Sequence, residues 1–325
     1  MGLLVQPRPR PLHDPWRYQS LLLEDERTAD GGVTSCLTVF LTGRECSWQC
    51  VMCDLWQATT VANTPAGAIP HQLAQAWDAI GARRSAVRQV KLYNASSFFE
   101  PRAVPECDYG PIAHQLAGLS RVIVESHPAL IGPRVDRFVG ALVAASSERG
   151  KSPALEVAMG LETAHPGALS QLNKKMTVDD YARAARALLD RHVDVRTFLL
   201  IGAPFVPAAE QDEWLSRSVD TAIRCGSTAI SLIPTRATKL GPLAVSEVEP
   251  LAEPSLDQIE GGVSGIRRRF SGHPARIFVD LWDLRRFATC AACFDVRRDL
   301  LDAGNRRQQQ PAAMHRCETC GWTSA

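Results

Sequence analysis

The stretch "TVDDYARAARALLDRHVDVRTFLLIGAPF", residues 177–205, decides the fold. Its first part predicts a helix over 177–193, because Thr177 is a favourable N-cap and acidic residues follow in the first turn. Its second part, 194–205, is apolar and predicts a strand. A helix that leads directly into a strand is the repeating unit of a parallel α/β sheet.

The same alternation extends in both directions along the chain. Further helices are predicted over 133–150 and 212–226, and both end in glycine. At least six strand–helix units between about 34 and 240 predict an α/β fold, a partial (β/α)6 TIM-type barrel with a small C-terminal extension. A flavodoxin-like open sheet is the alternative. The other predicted strands are 36–43, 87–93, 121–126, 154–162, 228–236 and 276–283.

The expected domain organisation has three parts. Residues 1–33 are rich in proline, arginine and acid and are expected to form an irregular lead-in. Residues 34–284 would form the barrel, and residues 285–325 a C-terminal metal-binding module.

Composition places the chain among ordinary globular proteins. It has 325 residues, 45% hydrophobic and 22% charged, and a formal net charge of +1. This charge provides no global attraction to nucleic acid or membrane. No apolar run approaches the ~18 residues of a membrane span, and the proline-broken N-terminus lacks a signal-peptide core. A cytoplasmic protein with no membrane partner is expected.

Ten cysteines require an explanation. In a large intracellular chain, clustered cysteines are more often metal ligands or catalytic groups than disulfides. Three of them, Cys36, Cys107 and Cys225, stand alone and are expected to be small buried residues. The other seven fall into two clusters.

The first cluster is Cys46, Cys50 and Cys53, spaced C-x3-C-x2-C on the loop after the first predicted strand. A structural zinc site would use four ligands, and this loop has three. A cubane iron–sulfur cluster takes one thiolate on each of four irons, so three cysteines leave one iron open for a substrate or cofactor. A zinc or redox trio in a chance spacing is the alternative reading.

In this position the motif resembles that of the radical S-adenosylmethionine superfamily. The resemblance implies a [4Fe–4S] cluster whose open iron takes the amino and carboxylate groups of S-adenosylmethionine. It also implies reductive cleavage of that cofactor to a 5′-deoxyadenosyl radical, which abstracts hydrogen from the substrate. Met52 stands where the family usually has an aromatic residue, and it could pack against the cofactor.

Later strand ends extend the resemblance. "VESHP" (124–128) is similar to the E-x-x-P pattern of the coproporphyrinogen-oxidase and Elongator-like branch. By this resemblance, Lys174 in "LNKKMT" would pair with the cofactor carboxylate, where a cation neutralises charge. A rim salt bridge is the alternative for Glu125 or Lys174 taken singly. The cofactor-binding residues implied outside the cysteine loop are Asn94, Ser96, Glu125, Glu162 and Lys174.

Within the superfamily, these stretches are most similar to the β subunit of archaeosine synthase and its relatives. That resemblance implies a lyase that cleaves a C–N bond in a 7-deazaguanine-type nucleoside or tRNA base. A reducing partner such as flavodoxin or ferredoxin would supply the electron. Two alternatives stay open: a radical enzyme acting on a peptide or small metabolite with an auxiliary iron–sulfur cluster, and a non-enzymatic nucleic-acid-binding sensor.

The second cluster is Cys290 and Cys293, then, after 23 intervening residues, Cys317 and Cys320. Paired C-x2-C motifs at this distance predict a zinc ribbon, and an auxiliary iron–sulfur cluster is the alternative. About forty residues build too small a core to fold without a metal. Arginines near this cluster, including "RRR" (267–269), could hold phosphate or form a solvated face.

Overall fold

The computed structural model describes residues 11–48, 50–147, 150–236, 253–309 and 315–324. Within these ranges the strands form a single eight-stranded sheet, in the order β1-β2-β3-β4-β5-β6-β7-β8. The first pair is antiparallel and all later pairs are parallel. The strands are β1 (Ser20–Arg27), β2 (Val33–Leu41), β3 (Val87–Asn94), β4 (Arg121–Glu125), β5 (Ala154–Glu162), β6 (Asp194–Ile201), β7 (Ala229–Pro234) and β8 (Arg276–Val279).

Helices connect the parallel strands. The predicted helix over 177–193 is present as Val178–Leu189, and Thr177 forms a capping box with Asp180. In the described part of the chain the α-helices are α1 (Ala68–Ile80), α2 (Tyr109–Leu116), α3 (Pro133–Ser146), α4 (Pro166–Gln171), α5 (Val178–Leu189), α6 (Gln211–Arg224), α7 (Leu256–Arg269) and α8 (Ala291–Arg307).

Strand order decides the fold class. A doubly wound sheet reverses its strand order at a switch point, whereas this sheet follows the chain order without reversal. The predicted α/β barrel is therefore confirmed, and it is one parallel strand wider than six. The expectation of an irregular lead-in is wrong for Ser20–Arg27, which pairs with β2 along its whole length. The acidic residues that hid this strand, Glu24 and Glu26, are partners of Lys91.

The barrel is nearly closed, and α8 covers the gap between its end strands. Asn305 accepts a hydrogen bond from the Val279 N–H at 2.8 Å and donates one to the Val279 carbonyl at 2.8 Å. Gln308 does the same with Ile277, at 2.5 and 3.1 Å. Two side-chain amides thus take the place of a neighbouring strand on the open edge of β8.

Charged side chains fill the barrel interior near the amino ends of the strands. Arg196 donates to Glu156 at 2.5 Å and also to Glu26 on β1, at 2.5 Å. Arg276 donates to Glu156 at 3.1 Å, and Lys91 pairs with Glu26. All five residues are buried, so each charge depends on its partners. This charged floor leaves the other half of the barrel for a site.

Aromatic residues lie above the floor. Tyr93 meets Phe40 and Phe198 edge to face, with ring centroids 6.4 and 5.8 Å apart. These three inward-facing residues keep some solvent exposure, in contrast to the buried floor. In the described ranges, no helix is both long enough and apolar enough to cross a membrane.

Candidate functional site

The carboxyl ends of β2 to β5 bring most of the predicted site residues together. The Cys46 thiol lies within electrostatic range of Lys174 and Glu125. The Cys50 thiol lies within range of Lys174, Glu162 and Cys46. Residues from three separate loops therefore converge at the rim where α/β barrels carry their chemistry.

The three thiols are free and partly buried. Burial raises the pKa of all three: that of Cys50 to about 11 and that of Cys53 to about 12. A bound cation reverses this effect, because it stabilises the thiolate. Beside them, Met52 packs against the apolar cluster around Leu200.

The sulfurs of Cys46, Cys50 and Cys53 do not gather around a single point. Among the described residues, the one group of potential ligand atoms lying within 4.8 Å of one another is at the C-terminus. A cubane binds each thiolate on a different iron, so it separates its cysteines more widely than a single ion does. The triplet is not such a compact group, unlike the C-terminal quartet.

Three contacts fix the thiol loop on the barrel. Arg102 donates a hydrogen bond to the Ser47 hydroxyl at 2.8 Å. The Val51 N–H donates to the Leu172 carbonyl at 3.1 Å. The Trp48 ring stacks on the His127 ring, with centroids 3.9 Å apart and an interplanar angle of 12°. The loop is thereby tied to the loops after β3, β4 and β5.

Two of the predicted cofactor-binding residues, Glu162 and Lys174, form a buried ion pair at 2.6 Å. Burial alone would lower the pKa of Lys174, but Glu162 and the nearby thiols raise it overall. Glu162 has a left-handed φ of 65°, where the register between β5 and β6 shifts. A Cβ at Gly160 would collide with the Glu162 carboxylate and lie 2.5 Å from the Lys174 Nζ. The glycine therefore makes room for the pair.

Glu125, at the end of β4, has a perturbed carboxyl group. Burial raises its pKa to about 8, although the Asn94 N–H and Lys174 act in the opposite direction. At neutral pH the carboxyl is largely protonated and can donate a hydrogen bond. Such an environment is typical of functional sites.

Polar atoms without partners lie beside Glu125. Both side-chain polar atoms of Asn94 and the Ser96 hydroxyl are buried and have no hydrogen-bond partner among the described atoms. The Thr235 hydroxyl, just after β7, is in the same condition. A buried amide without a partner costs free energy, about 1–3 kcal/mol, which a ligand can recover. Asn94 and Ser96 therefore fit a group that supplies hydrogen bonds from outside the chain.

Sequence reasoning assigned no role to His127 or Trp48. A signal exists, because "ESHP" (125–128) and "ETAHP" (162–166) place Glu, His and Pro in the same order on neighbouring strands. In both, the histidine Nδ1 accepts a backbone N–H of the next turn. His165 is the second of these histidines.

The second cysteine cluster forms a compact site. The four thiols all lie within 4.8 Å of one another, with Cys290–Cys317 and Cys293–Cys320 sulfur distances of 4.0 and 3.8 Å. A single tetrahedral ion with metal–sulfur bonds of ~2.3 Å places its sulfurs about 3.8 Å apart. Backbone N–H groups, chiefly that of Cys320, lower the pKa of Cys317 to about 6. The predicted metal-binding quartet is thus brought together by the fold.

The first turns of α7 hold this site in place. Arg297 donates to Glu260 at 2.8 Å and to Asp257 at 2.5 Å, and it is buried. The Trp322 indole N–H donates to Glu260 at 2.9 Å, and Arg297 lies over the Trp322 ring. Because α7 starts beyond the carboxyl end of β7, the quartet lies on the same side of the barrel as the first site.

The arginine run 267–269 does not act as one face. Arg267 is partly buried and donates to the Ile277 carbonyl and to Asn305, so it supports the open barrel edge. On α8, Arg298 and Arg306 pair with aspartates of the same helix. These contacts favour a structural role for much of the basic charge near the quartet.

No protein-family model and no curated protein matches the sequence. Solved structures do match. The archaeal Elp3 of Methanocaldococcus infernus shares 10% identity over 64% of this chain and 51% of its own, with a TM-score of 0.50. Coproporphyrinogen III oxidase from Escherichia coli, described as a radical SAM enzyme, shares 13% over 75% and 52%, at 0.45. The radical S-adenosylmethionine methyltransferase TsrM from Kitasatospora setae shares 16% over 67% and 38%, at 0.43.

Several matched structures are therefore radical S-adenosylmethionine enzymes, and HMG-CoA lyases match as well. This chain spans only 38% to 52% of the three proteins named above. At these identities the likeness shows the barrel fold, and the chemistry has to be argued from the site.

Proposed function

We propose that this chain is a radical S-adenosylmethionine enzyme. The observation that carries the proposal is the convergence of the three thiols with Glu125, the Glu162–Lys174 pair and the unpartnered Asn94 at one barrel rim. A metal-sensing protein has no use for a buried ion pair and an unpartnered amide beside its cluster. The likeness to Elp3 supports the barrel that positions these groups.

Each residue would have a distinct role toward the cofactors. Cys46, Cys50 and Cys53 would hold a [4Fe–4S] cluster and leave one iron without a protein ligand. When bound, that cluster supplies the electron that cleaves S-adenosylmethionine to the hydrogen-abstracting 5′-deoxyadenosyl radical. Lys174, kept charged and in place by Glu162, would pair with the cofactor carboxylate.

The remaining predicted residues would complete the cofactor site. Asn94 and Ser96 would give their unpartnered polar atoms to the cofactor amino group. Met52, on the same loop as the thiols, would supply an apolar contact. Glu125 would contribute a hydrogen bond from its protonated carboxyl group.

We assign the C-terminal quartet to zinc. The sulfur–sulfur distances of 3.8 and 4.0 Å suit one tetrahedral ion, whereas an iron–sulfur cluster needs its thiols farther apart. This favours a structural metal over the auxiliary-cluster alternative, and with it the division into a barrel at 34–284 and a metal module at 285–325. β1 adds Ser20–Arg27 to the barrel.

For the substrate we propose a 7-deazaguanine-type nucleoside or tRNA base, with cleavage of a C–N bond. The sequence resemblance is the basis for this choice. The accessible aromatic residues Phe40, Tyr93 and Phe198 support it, because a flat base drawn into the barrel could stack on them. A flavodoxin or ferredoxin would serve as reductant in a cytoplasmic setting.

Anaerobic reconstitution tests the proposal. Wild-type protein should bind about four iron and four sulfide at the first site and release 5′-deoxyadenosine from S-adenosylmethionine with dithionite. The reaction should then be run with tRNA carrying a 7-deazaguanine base and with the same tRNA unmodified, followed by nucleoside mass analysis. A new nucleoside only with the modified tRNA supports the substrate. If 5′-deoxyadenosine forms but no new nucleoside appears, and a peptide or small metabolite is converted instead, the substrate belongs to that other class.

A further inference from the structure

His127, at the end of β4, contacts three of the loops that build the rim. Its ring stacks on Trp48 of the thiol loop. Its Nε2 lies 2.9 Å from the Lys174 carbonyl, and its backbone N–H donates to the Ser97 hydroxyl at 2.9 Å. Because the residue is buried, these contacts are shielded from water.

The contacts determine the tautomer of His127. The Ala129 N–H donates to Nδ1 at 3.1 Å, so Nδ1 carries no proton. The proton is therefore on Nε2, which donates to the Lys174 carbonyl. A neutral imidazole satisfies both neighbours at once.

The backbone around Lys174 requires such a support. Asn173 and Lys175, on either side of it, both have a left-handed φ of 56°. This conformation is unfavourable for a non-glycine residue, so it persists where surrounding contacts impose it. Two hydrogen bonds hold this segment: His127 Nε2 bonds the Lys174 carbonyl, and the Val51 N–H donates to the Leu172 carbonyl.

We propose that His127, clamped by Trp48, is a positioning residue that sets the spacing between the thiol loop and Lys174. The inference rests on the proposed function. In a radical enzyme the open iron and the Lys174 ammonium group would both bind the carboxylate of one small cofactor, so a loose connection between their loops would weaken binding. Trp48 and His127 supply that connection through their stacked rings, and the Trp48 backbone N–H also bonds the Cys46 thiol.

The fold provides a matched control one strand away. His165 precedes Pro166 as His127 precedes Pro128, and its Nδ1 accepts the Ala168 N–H at 3.0 Å. Its ring meets Trp214 edge to face, at 4.5 Å between centroids. The two histidines thus cap similar turns and contact a tryptophan, but His127 alone of the two is bonded to Lys174.

The experiment compares His127→Ala, His127→Gln and His165→Ala with wild type. In the cluster-loaded protein, His127→Ala should bind S-adenosylmethionine at least about tenfold more weakly, a size typical of residues that orient metal-site groups. The change that S-adenosylmethionine causes in the cluster's electron paramagnetic resonance spectrum should be reduced or lost. His127→Gln, which keeps a donor, should recover part of both signals, and His165→Ala should stay within about twofold of wild type.

A second arm uses apoprotein, so it does not depend on the cluster. Hydrogen exchange at the Val51 N–H should be at least about tenfold faster in His127→Ala than in wild type and unchanged in His165→Ala. Equal effects of the two alanine variants in both arms would show that His127 is merely a turn cap and would overturn the inference. Failure of wild type to assemble a cluster or bind S-adenosylmethionine would overturn the proposed function, and the exchange arm would still decide the role of His127.

Discussion

The two cysteine clusters of this chain differ in the arrangement of their thiols and in the direction in which the pKa values of Cys317 and Cys53 are shifted. At the C-terminus, four thiols converge on one point, and backbone N–H groups lower the pKa of Cys317 to about 6. At the barrel rim, the three thiols form no such compact group, and burial raises the pKa of Cys53 to about 12. The C-terminal quartet supplies four thiols, the full set that a tetrahedral ion takes. The rim triplet supplies three, and charged and unpartnered groups surround it.

The difference shows how a closed metal site and an open one can be distinguished before any metal is seen. A structural ion takes its full ligand set from the chain, so the neighbouring residues serve only to hold the ligands, as Arg297 and Trp322 do. A reactive site keeps a position for its substrate or cofactor. Under the proposed function, the unpartnered side-chain atoms of Asn94 would be satisfied by such a ligand.

The largest expected effect comes from removing the open site. Replacing Cys46, Cys50 and Cys53 by alanine should reduce 5′-deoxyadenosine formation to the level of a reaction without enzyme, because no cluster can be held. Iron analysis and the product assay should both report the loss. The matched control replaces the isolated Cys107 and Cys225 by serine and should retain activity. A triple variant that still forms 5′-deoxyadenosine would show that these three thiols do not hold the reactive cluster.

Breaking the closed site should affect stability and spare the other cluster. Cys317→Ser with Cys320→Ser should abolish zinc binding and lower the free energy of unfolding by several kcal/mol, because metal binding and folding of this module are coupled. Hydrogen exchange should become faster at the Ile277 and Val279 N–H groups, which the far end of α8 covers. Iron bound at the rim should stay the same. A variant that keeps one zinc per chain, or loses its rim cluster, would contradict the division of roles.

The sequence predicted the parallel units of this fold because their signals are local. The capping box at Thr177 and the apolar strand after its helix are both determined by residues within a few positions. β1 was missed because its carboxylates look like those of an exposed loop. Glu26 is tolerated inside the barrel because Arg196 and Lys91, far away in sequence, compensate its charge.

The site was predictable only in part, for a similar reason. The thiols were predicted from their spacing and the other rim residues from a family resemblance at strand ends, and the fold brings the thiols, Glu125 and Lys174 to one rim. A rim salt bridge was the alternative for Lys174, but its partner Glu162 could not be foreseen, because the pair depends on the left-handed backbone at Glu162 and on the space at Gly160. His127 was missed because stacking on Trp48 is a tertiary contact that no spacing encodes.

Charged groups at the rim should have the next largest effect. Lys174→Met and Glu125→Ala should each weaken S-adenosylmethionine binding about 10- to 100-fold, as expected for the loss of a charge-assisted or buried hydrogen bond of about 1.5–3 kcal/mol. Cluster content should not change. Calorimetric titration of the loaded protein measures the effect. Unchanged affinity in both variants would mean that Lys174 serves only in its salt bridge with Glu162 and that Glu125 does not contact the cofactor.

Glu125→Gln, which keeps a hydrogen-bond donor and cannot ionise, gives a pH test with a defined sign. The folded-state pKa of Glu125 is about 8, above its ordinary value of 4.5. Between these pH values the folded protein keeps a proton that the unfolded chain has lost. The contribution of Glu125 to the free energy of unfolding therefore falls as pH rises from about 4.5 to 8. The glutamine variant should be more stable than wild type at pH 8, by about 1–2 kcal/mol after allowing for partial exposure, and the two should converge near pH 5. Melting temperatures across this range measure it, and an equal difference at both pH values would contradict the raised pKa.

The smallest expected effect on cofactor binding comes from the unpartnered groups of the rim, and the neighbouring residues Ser96 and Ser97 allow a comparison. Ser96 has a buried hydroxyl without a partner, whereas the Ser97 hydroxyl accepts the His127 N–H. Ser96→Ala and Asn94→Ala should therefore leave the stability of the apoprotein unchanged or slightly higher, since each removes a buried polar group that is unsatisfied. Both should weaken S-adenosylmethionine binding, about two- to tenfold, for the loss of a neutral hydrogen bond of about 0.5–1.5 kcal/mol. Ser97→Ala should instead destabilise the apoprotein. If Ser96→Ala destabilises the apoprotein as much as Ser97→Ala does and leaves the affinity intact, the unpartnered atoms at this rim are not reserved for a ligand.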